Sequence, residues 1–584
     1  MTHDIDRPAE SGHDTLYGSD ALAEMLRRLD MPFVALNPGS SFRGLHDSLV
    51  NHLGNRDPQM LLCLHEEHAV AIAHGWAKVT GTPLAVILHA NVGLMHAAMA
   101  LYNAWCDRVP MLVLGATGPV DAALRRPWID WLHTSRDQAA IVRPYLKWDD
   151  QPASLSASLD AMMRAARITA TAPMAPTYVC FDVTVQEAPI DAMPALPDPA
   201  RHASPAFPTP GPADVAALHD MLETAERPVF LMGRVSRRQE DWDRRVALAE
   251  HHGARVVTDI KTAAAFPTRH PLHAGAPGYF LTADAKEAIA EADLVVSFDF
   301  VDPAGTLAQG GVGEGTRVAC VSLDPLLPNA WSLDQGGNPA SDLTLLADPD
   351  AVIGALCRAA GVDGHGTQDL RPLDPLPEVA ADRPIPVPAL AASVARAVER
   401  LDPTYLRVTL SWDGDRCDWR GPLDYLGYDG GAGIASGPGM AVGAALALKG
   451  SGRLPVAILG DGDFVMGGSA IWTAVHQRVP LLVVVANNRS YFNDEVHQER
   501  VARDRGRPVE NKHVGQAICD PDIDIAGLAR AQGAEGIGPI RTAGEVDAAL
   551  AQAVAAVRAG RVAVVDIRTA SGYSEAMSDG MTEG

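Results

Sequence analysis

The chain has 584 residues, of which 47% are hydrophobic and 21% are charged, and this is enough for several globular domains. Its formal net charge of −24 gives a surface that repels nucleic acid and anionic membranes, so we expect neither as a partner. The seven cysteines contain no Cys-x-x-Cys pair, which argues against a zinc site or a disulfide framework and favours a reducing cytoplasm.

The first predicted unit covers residues 14–187 and alternates apolar, strand-like segments with helical patterns. Its predicted strands are Val34–Leu36, Leu84–Leu88, Met111–Leu114 and Thr177–Phe181. Its predicted helices are Ser19–Leu29, His68–Val79, Leu94–Ala104 and Leu155–Ala166. Such alternation predicts a parallel sheet with helices on both faces. The longest apolar stretch, Pro83–Trp105, contains polar residues and is predicted to be a strand, a turn and a helix rather than a membrane span.

Two further units follow along the chain. Residues 188–212 are rich in proline, alanine and aspartate and are predicted to be a linker. The second unit, residues 213–360, has predicted strands at Pro228–Met232, Arg255–Thr258, Leu294–Phe298 and Arg317–Leu323. A second proline-rich join at 362–388 leads into the third unit, residues 389–570, which repeats the alternation. We therefore expect an α/β protein built from three doubly wound parallel-sheet domains.

Two polar clusters in the third unit each follow an apolar, strand-like run. They are Gly-Asp-Gly at 460–462 and Asn-Asn at 487–488, and Asn488 lies 27 positions after Asp461. Ligands bind at the carboxyl ends of parallel strands, where glycines let the backbone approach a phosphate. Asp461 and Asn488 offer oxygen ligands of the kind that suit Mg²⁺ held together with substrate phosphates. The pattern predicts a magnesium–diphosphate site, with two ordinary tight turns as the alternative.

A pair of acids opens a predicted helix in the first unit. Residues 63–68 read Cys-Leu-His-Glu-Glu-His and follow a short apolar run. Acidic residues are common in the first turn of a helix, and taken alone this explains Glu66 and Glu67. Beside the Gly-Asp-Gly and Asn-Asn clusters, a functional role for this pair becomes the better hypothesis.

Together these motifs resemble those of the thiamine diphosphate enzymes grouped with acetolactate synthase, benzoylformate decarboxylase, benzaldehyde lyase and pyruvate decarboxylase. The resemblance covers nearly the whole chain and is densest at Asn37–Ser40, Leu88–Gly93, Asn103–Pro110 and 460–488, with a further match at Ala264–Pro271 in the middle unit. It implies a pyrimidine-binding domain, a middle Rossmann-like domain and a diphosphate-binding domain, in that order. It also implies a homodimer or homotetramer with active sites at subunit interfaces, where Glu66 acts on a cofactor held by another chain.

The resemblance assigns the cofactor contacts. Glu66 would hydrogen-bond the aminopyrimidine ring and drive it to its imino tautomer, while Glu67 fits this role less well by register. Mg²⁺ would be bound by the side chains of Asp461 and Asn488 and by the Ser490 carbonyl. The remaining contacts would come from Gly433, Ile434, Gly460, Gly462 and Asp463. Ile434 would support the bent cofactor, although ordinary core packing also explains it. Some relatives bind FAD in the middle domain, and nothing in this sequence requires it.

The same resemblance suggests residues that face the substrate. Ser40 and His89 match positions that hold a substrate carboxylate and relay protons in benzoylformate decarboxylase-like enzymes, although His89 is equally well explained as a core histidine. Those enzymes carry a second active-site histidine after the strand that matches Leu294–Asp299, and this chain has none there. The departure weakens the case for their mechanism.

A polar segment follows the Asn-Asn cluster. Asp494 lies six residues past Asn488, where the pyruvate decarboxylase group places a carboxylate. Asp494, Glu495 and His497 are candidates for protonating an intermediate or binding a hydroxylated acceptor, and a solvated helix face is the alternative. The last 14 residues, 571–584, are expected to be a flexible tail or a lid.

The resemblance implies cleavage, by decarboxylation, of a 2-oxo acid or a related C–C bond through an enamine intermediate. Acetolactate synthase-like joining of two 2-oxo acids is the alternative, since both reactions use the same cofactor residues. A non-catalytic subunit with this fold is a remote alternative, because Glu66, Asp461 and Asn488 are all present. The polar first 13 residues do not resemble a secretion signal, so we expect a cytoplasmic protein.

Overall fold

The computed structural model describes residues 4–324, 339–412 and 414–582, apart from positions 10, 11, 13, 14, 365, 367–369, 374, 377 and 574. It contains three large parallel sheets in chain order, which confirms the predicted α/β fold. The predicted domain limits themselves stay predictions, and residue 14, where the first was placed, lies outside the described residues. None of the described helices is long and apolar enough to cross a membrane.

The first sheet has six strands, and a short antiparallel ribbon lies beside it. The strands of this region are β1 (Leu16–Tyr17), β2 (Phe33–Leu36), β3 (Gln59–Leu62), β4 (Ala85–Leu88), β5 (Met111–Thr117), β6 (Trp148–Asp150), β7 (Pro176–Asp182) and β8 (Pro189–Ile190). The order in the sheet is β3-β2-β4-β5-β7-β6, and β1 pairs with β8. The helices are α1 (Gly18–Arg28), α2 (Arg43–Asp47), α3 (Glu66–Thr80), α4 (Ala90–Cys106), α5 (Asp130–His133), α6 (Leu155–Thr169) and α7 (Val183–Glu187).

The middle sheet has five strands. They are β9 (Pro228–Met232), β10 (Arg255–Thr258), β11 (Leu294–Phe298), β12 (Arg317–Ser322) and β13 (Leu343–Leu346). Their order is β10-β9-β11-β12-β13, so the chain reverses direction across the sheet after β10. The helices are α8 (Pro212–Glu223), α9 (Gln239–His252), α10 (Ala283–Ala290), α11 (Pro303–Gly310) and α12 (Pro349–Ala360).

The third sheet also has five strands. They are β14 (Pro403–Arg407), β15 (Leu454–Gly460), β16 (Leu481–Asn487), β17 (Glu535–Ile540) and β18 (Val562–Arg568), in the order β14-β15-β16-β18-β17. The helices are α13 (Val387–Val398), α14 (Ser436–Ala447), α15 (Asp461–Gly467), α16 (Ala470–His476), α17 (Phe492–Asp504), α18 (Ile525–Ala531), α19 (Ala543–Arg558) and α20 (Glu575–Thr582).

Helix α20 lies in the segment that the sequence left open as a flexible tail or a lid. It packs against α17, where Arg500 Nη1 donates to the Met581 carbonyl at 3.3 Å. A Cβ atom on Gly580 would collide with the ring of Phe280 in the middle region. The described part of the tail is therefore a docked helix, while positions 574, 583 and 584 lie outside the described residues.

The third sheet is buried on both faces, and each face shares its core with a different neighbour. Ala457 and Leu459 of β15 lie in one apolar cluster with Val86 of the first sheet. Val456 and Ile458 alternate with them and lie in a second cluster that includes the middle sheet. Residues that alternate along a strand point to opposite faces, so this pattern fixes how the sheet is covered.

The first and third regions meet where α3 packs on α14. A Cβ atom on Gly443 would lie 1.9 Å from the Ile72 carbonyl oxygen, and one on Gly75 would lie 2.0 Å from that of Met440. Only glycine allows the two backbones to approach this closely. The contact fixes the N-terminal end of α3, and with it Glu66, relative to the third sheet.

Candidate active site

The edge formed by the carboxyl ends of β15 and β16 carries the predicted metal ligands. Parallel pairing places Gly460 opposite Ala486, so Asp461 and Asn488 follow two neighbouring strand ends. Asp461 is 4% exposed, and its Oδ2 atom has no hydrogen-bond partner among the described residues. Burial raises the pKa of the Asp461 carboxyl to about 6. A buried carboxylate oxygen without a protein donor fits the coordination of a divalent cation.

The two asparagines after β16 differ in what they contact. The Asn487 amide donates to Asp566 Oδ1 at 2.7 Å, and its oxygen accepts from Arg568 Nη1 at 3.1 Å, so its side chain supports the strand end. Asn488 is half-buried, and its oxygen accepts from the Ser490 N–H at 2.9 Å. The Asn487 side chain is thus fully used inside the sheet end, and the metal-binding role of Asn488 stays a prediction.

The two glycines that flank Asp461 differ in the space around them. A Cβ atom on Gly460 would meet no atom within 4 Å, whereas one on Gly462 would lie 2.6 Å from the Tyr491 ring. The Asp463 carboxylate accepts from the Ala435 N–H at 2.8 Å and pairs with Arg407 Nε at 3.2 Å. Because its side chain is used in this way, Asp463 offers a ligand only its backbone.

The predicted cofactor loop before α14 is held by the first region. Asn103 Nδ2 donates to the Gly433 carbonyl at 3.2 Å and to Ser436 Oγ at 2.8 Å. Ile434 lies between these two anchored positions and is half-buried. The backbone at Ala435 has φ 94°, a left-handed conformation that turns the chain into the helix. The loop therefore places Ile434 at the surface between the two regions.

Glu66 is the first residue of α3 and is 6% exposed. Its Oε2 lies 3.0 Å from His96 Nδ1, and a Cβ atom on Gly93 would lie 3.2 Å from its Oε1. The carboxylate thus lies against the first turns of α4. Glu67 turns the other way and accepts from Ser436 Oγ at 3.4 Å, and burial raises the pKa of its carboxyl. The two acids therefore have separate surroundings, and the choice of Glu66 over Glu67 as the activating residue stays a prediction.

His89 precedes α4 and meets a serine that the sequence prediction did not select. The Ser41 hydroxyl lies 2.9 Å from His89 Nδ1 and itself accepts from the Ala90 N–H at 3.0 Å. Ser40 is exposed, so its predicted substrate contact stays a prediction. The sequence has two adjacent serines, Ser40 and Ser41. The direction in which each side chain points is set by the short 3₁₀ turn at Ser40–Phe42, and the structure shows that the Ser41 hydroxyl reaches His89. Burial lowers the pKa of the His89 imidazole, and the nearby His133 lowers it further.

The polar segment after the asparagines forms the first turns of α17. Asp494 and His497 are exposed, while Glu495 is buried and accepts a hydrogen bond from Ser490 Oγ. Successive residues on a helix point about 100° apart, which is why the two neighbouring acids differ. Of the three candidates, Glu495 is the one turned toward the metal-ligand segment, and the role of Asp494 stays a prediction.

Two further histidines at the site were not singled out from the sequence. His96 contacts Glu66, and the His133 ring lies at right angles to the His89 ring with their centroids 4.9 Å apart. His96 lies on α4, two turns after His89, so helical spacing alone would have suggested it. His133 lies 44 positions after His89, and only the tertiary fold brings them together.

Comparison with known proteins identifies the family. Models of the N-terminal, central and C-terminal domains of thiamine pyrophosphate enzymes match residues 16–141, 215–302 and 411–567. The chain is 27% identical to benzoylformate decarboxylase of Pseudomonas aeruginosa over 558 residues, which is 92% of this chain and 96% of that protein. It is 24% identical to the acetolactate synthase large subunit of Corynebacterium glutamicum over 517 residues, covering 82% and 76% of the two chains.

Solved structures show the same fold. The chain superposes on a 4-hydroxybenzoylformate decarboxylase of Rhodococcus jostii with a TM-score of 0.75, 22% identity and coverage of 96% and 100% of the two chains. A benzoylformate decarboxylase of Polynucleobacter necessarius gives a TM-score of 0.77 at 22% identity, with coverage of 96% and 99%. The protein therefore belongs to the thiamine pyrophosphate enzymes, in the group that contains the decarboxylases and the acetolactate synthases.

Proposed function

We propose that this protein uses thiamine diphosphate and Mg²⁺ to decarboxylate a 2-oxo acid. The observation that carries the proposal is the buried Asp461 carboxylate, whose Oδ2 has no donor among the described residues. Its environment suits a metal ion that neutralises it and binds a diphosphate at the same time. The side chain of Asn488 and the carbonyl of Ser490 complete the proposed metal ligands, and the backbone of residues 460–463 contacts the diphosphate.

Glu66 is the proposed activating group. When bound, the cofactor supplies a nucleophilic carbon and an electron sink for the loss of CO₂. Glu66 holds a proton shared with the pyrimidine ring of that cofactor, and burial against α4 excludes water from the carboxylate. Ile434, in the loop anchored by Asn103, supports the cofactor from the side of the third region.

The substrate side of the site is proposed to consist of His89, Ser40 and the first turn of α17. His89 offers the substrate a neutral imidazole, because burial lowers its pKa. Asp494 and Glu495 lie after the metal-ligand segment and are the candidate carboxylates for the second half of the reaction. The proposed outcome is protonation and release of an aldehyde. Joining two 2-oxo acids is the second candidate, favoured by the similarity to acetolactate synthase over 82% of the chain.

We also propose a homodimer or homotetramer with cofactor sites between chains. Leu64 and Met95 are exposed beside Glu66, and Val465 and Met466 are exposed beside Asp461. Exposed apolar side chains around both halves of a site are typical of an interface. Light scattering is expected to give a mass at least twice the 61.8 kDa of one chain. A fully active monomer would contradict this arrangement. The proposed location is the cytoplasm, in keeping with the seven cysteines, all of them free.

A panel of 2-oxo acids tests the proposed function. The protein is stripped of cofactor and then incubated with aryl, aliphatic and branched 2-oxo acids, with and without thiamine diphosphate and Mg²⁺. We expect CO₂ and an equal amount of aldehyde from at least one acid, and only when both additions are present. An acyloin or acetohydroxy acid as the main product would favour the ligase alternative. Absence of CO₂ from every acid, although the cofactor binds, would contradict the proposal.

A further inference from the structure

Two histidines and a glutamate meet on the surface of the middle region, where two helices end. Glu223 is the last residue of α8, and His251 and His252 are the last two residues of α9. One oxygen or nitrogen from each of the three side chains lies within 4.8 Å of the other two. Metal–ligand bonds of about 2.0–2.2 Å place the ligands of one tetrahedral ion roughly 3.4 Å apart, so small side-chain rotations bring these atoms to a single ion.

His252 is the buried member of this group. Its side chain is 5% exposed, and its Nδ1 lies 3.9 Å from Glu223 Oε1. Its Nε2 is shielded from solvent and has no hydrogen-bond partner among the described residues. Buried polar atoms normally have such a partner, because leaving one unpaired costs free energy. The ring therefore has a coordinating capacity that the described part of the chain does not use.

His219 adds a fourth side chain to the group. It lies one helical turn before Glu223, and residues four apart on a helix share one face. Its Nδ1 is also buried and without a hydrogen-bond partner in the part of the chain that the structure describes. Burial lowers the pKa of the His252 imidazole, and the nearby His251 and His219 lower it further. Three imidazoles and one carboxylate therefore lie together.

The ends of the two helices also favour a cation at this place. A helix carries a partial negative charge at its C-terminal end, and both α8 and α9 end within the cluster. Imidazole nitrogen suits Zn²⁺ and its neighbours in the transition series, whereas Mg²⁺ and Ca²⁺ prefer oxygen ligands. The sequence argument against a zinc site concerned cysteine ligands, and this cluster uses none.

We propose that His219, Glu223, His251 and His252 bind one divalent transition-metal ion, with Zn²⁺ as the type. The ion joins the C-terminal ends of α8 and α9 and adds to the packing that both helices share with α12. The two helices end just before β9 and β10 begin, so the site lies at the amino ends of the middle strands. It is separate from the proposed cofactor site on the third sheet, and its role is to stabilise the fold.

The test titrates metal-stripped, cofactor-free protein with Zn²⁺ by calorimetry and thermal unfolding. Glu223→Gln and His251→Gln alter exposed side chains, so the core stays intact. The matched control is His202→Gln, an exposed histidine in a short turn that contacts α6. We expect wild type and control to bind Zn²⁺ equally and to gain Tm as its concentration rises. Each cluster variant should bind at least about 10-fold more weakly and lose that gain in Tm.

Equilibrium dialysis counts the bound ions and decides between the outcomes. At a Zn²⁺ concentration that saturates the wild type, each cluster variant should hold one ion fewer per chain. Equal stoichiometry and equal affinity in wild type and both variants would overturn the proposal.

A comparison of metals uses the wild-type chain alone and therefore stands even if a variant fails to fold. We expect Co²⁺ to bind the cofactor-free protein with the visible absorption of nitrogen coordination, and Mg²⁺ to leave that absorption unchanged. Absence of the absorption, or its loss when Mg²⁺ is added, would contradict the proposed ligands. Neither substrate nor thiamine diphosphate is used, so failure here leaves the proposed function untouched, and failure of that function leaves this result untouched.

Discussion

Replacing Glu66 by glutamine is expected to lower kcat by about 10²- to 10⁴-fold, the range of general acid–base groups, while thiamine diphosphate still binds. Glutamine keeps the size of the side chain and its hydrogen-bonding capacity, but it cannot hold the shared proton. Cofactor binding and catalysis are measured separately, the binding by calorimetry and the turnover by CO₂ release. The reduced rate should therefore appear with a nearly unchanged cofactor Kd.

Glu67→Gln is the matched control, since it changes the next residue of the same helix turn. Glu67 faces Ser436, and burial raises the pKa of its carboxyl, so an uncharged replacement costs little. We expect turnover within a few-fold of wild type. Equal rates for Glu66→Gln and wild type would remove Glu66 from the mechanism, and a large loss only in Glu67→Gln would reassign the role to its neighbour.

Asp461→Asn is expected to abolish the Mg²⁺-dependent part of cofactor binding and with it the activity. An amide supplies at most one weak oxygen ligand and no charge to the metal. Calorimetric titration with thiamine diphosphate, with and without Mg²⁺, measures the effect directly. Asp463→Asn, in which the altered side chain contacts Ala435 and Arg407, is expected to affect stability more than metal dependence. Mg²⁺-dependent binding that survives in Asp461→Asn would exclude Asp461 as a ligand.

The same variant has an expected effect on stability that depends on pH. Burial raises the pKa of Asp461 from 3.8 to about 6, so the folded protein holds this proton more tightly than the unfolded chain. This stabilising contribution is complete below the unfolded pKa and is lost as the pH rises through about 6. Between about pH 4 and about pH 7, the unfolding free energy of cofactor-free Asp461→Asn should therefore gain up to about 3 kcal/mol relative to wild type. Denaturant titrations at several pH values check this, and a constant difference would contradict it.

Much of the fold could be predicted because buried parallel strands are short, apolar and bounded by turns. The predicted limits of β9, β10 and β11 agree with the structure to the residue. Strands β13 and β17 were not predicted: both lie at a sheet edge, where fewer side chains are buried and the apolar signal is weaker. The buried strand β18 was also not singled out, and the edge argument does not explain it. Helix α20 was missed because the tail composition is polar and small, and its docking contacts come from distant residues.

In the candidate site, too, some residues could be predicted from the sequence and others could not. Asp461 and Glu66 stand beside strand or helix boundaries that the sequence marks clearly, so their positions could be predicted. Ser41 and His133 could not be predicted in this way, because their contacts with His89 depend on the phase of a short turn and on a loop between elements. The family resemblance predicted a set of cofactor contacts and did not point to Ser41 or His133.

Mixing the Glu66→Gln and Asp461→Asn chains tests most directly the claim that one cofactor site is formed by Glu66 of one chain and Asp461 of another. Each variant alone is expected to be nearly inactive. In a hybrid dimer one site carries both substitutions and the other carries neither, so unfolding and refolding an equal mixture should restore about a quarter of wild-type turnover. Hybrid dimers that form, confirmed by differently tagged chains, and yet show no gain over the separate variants would contradict the shared site.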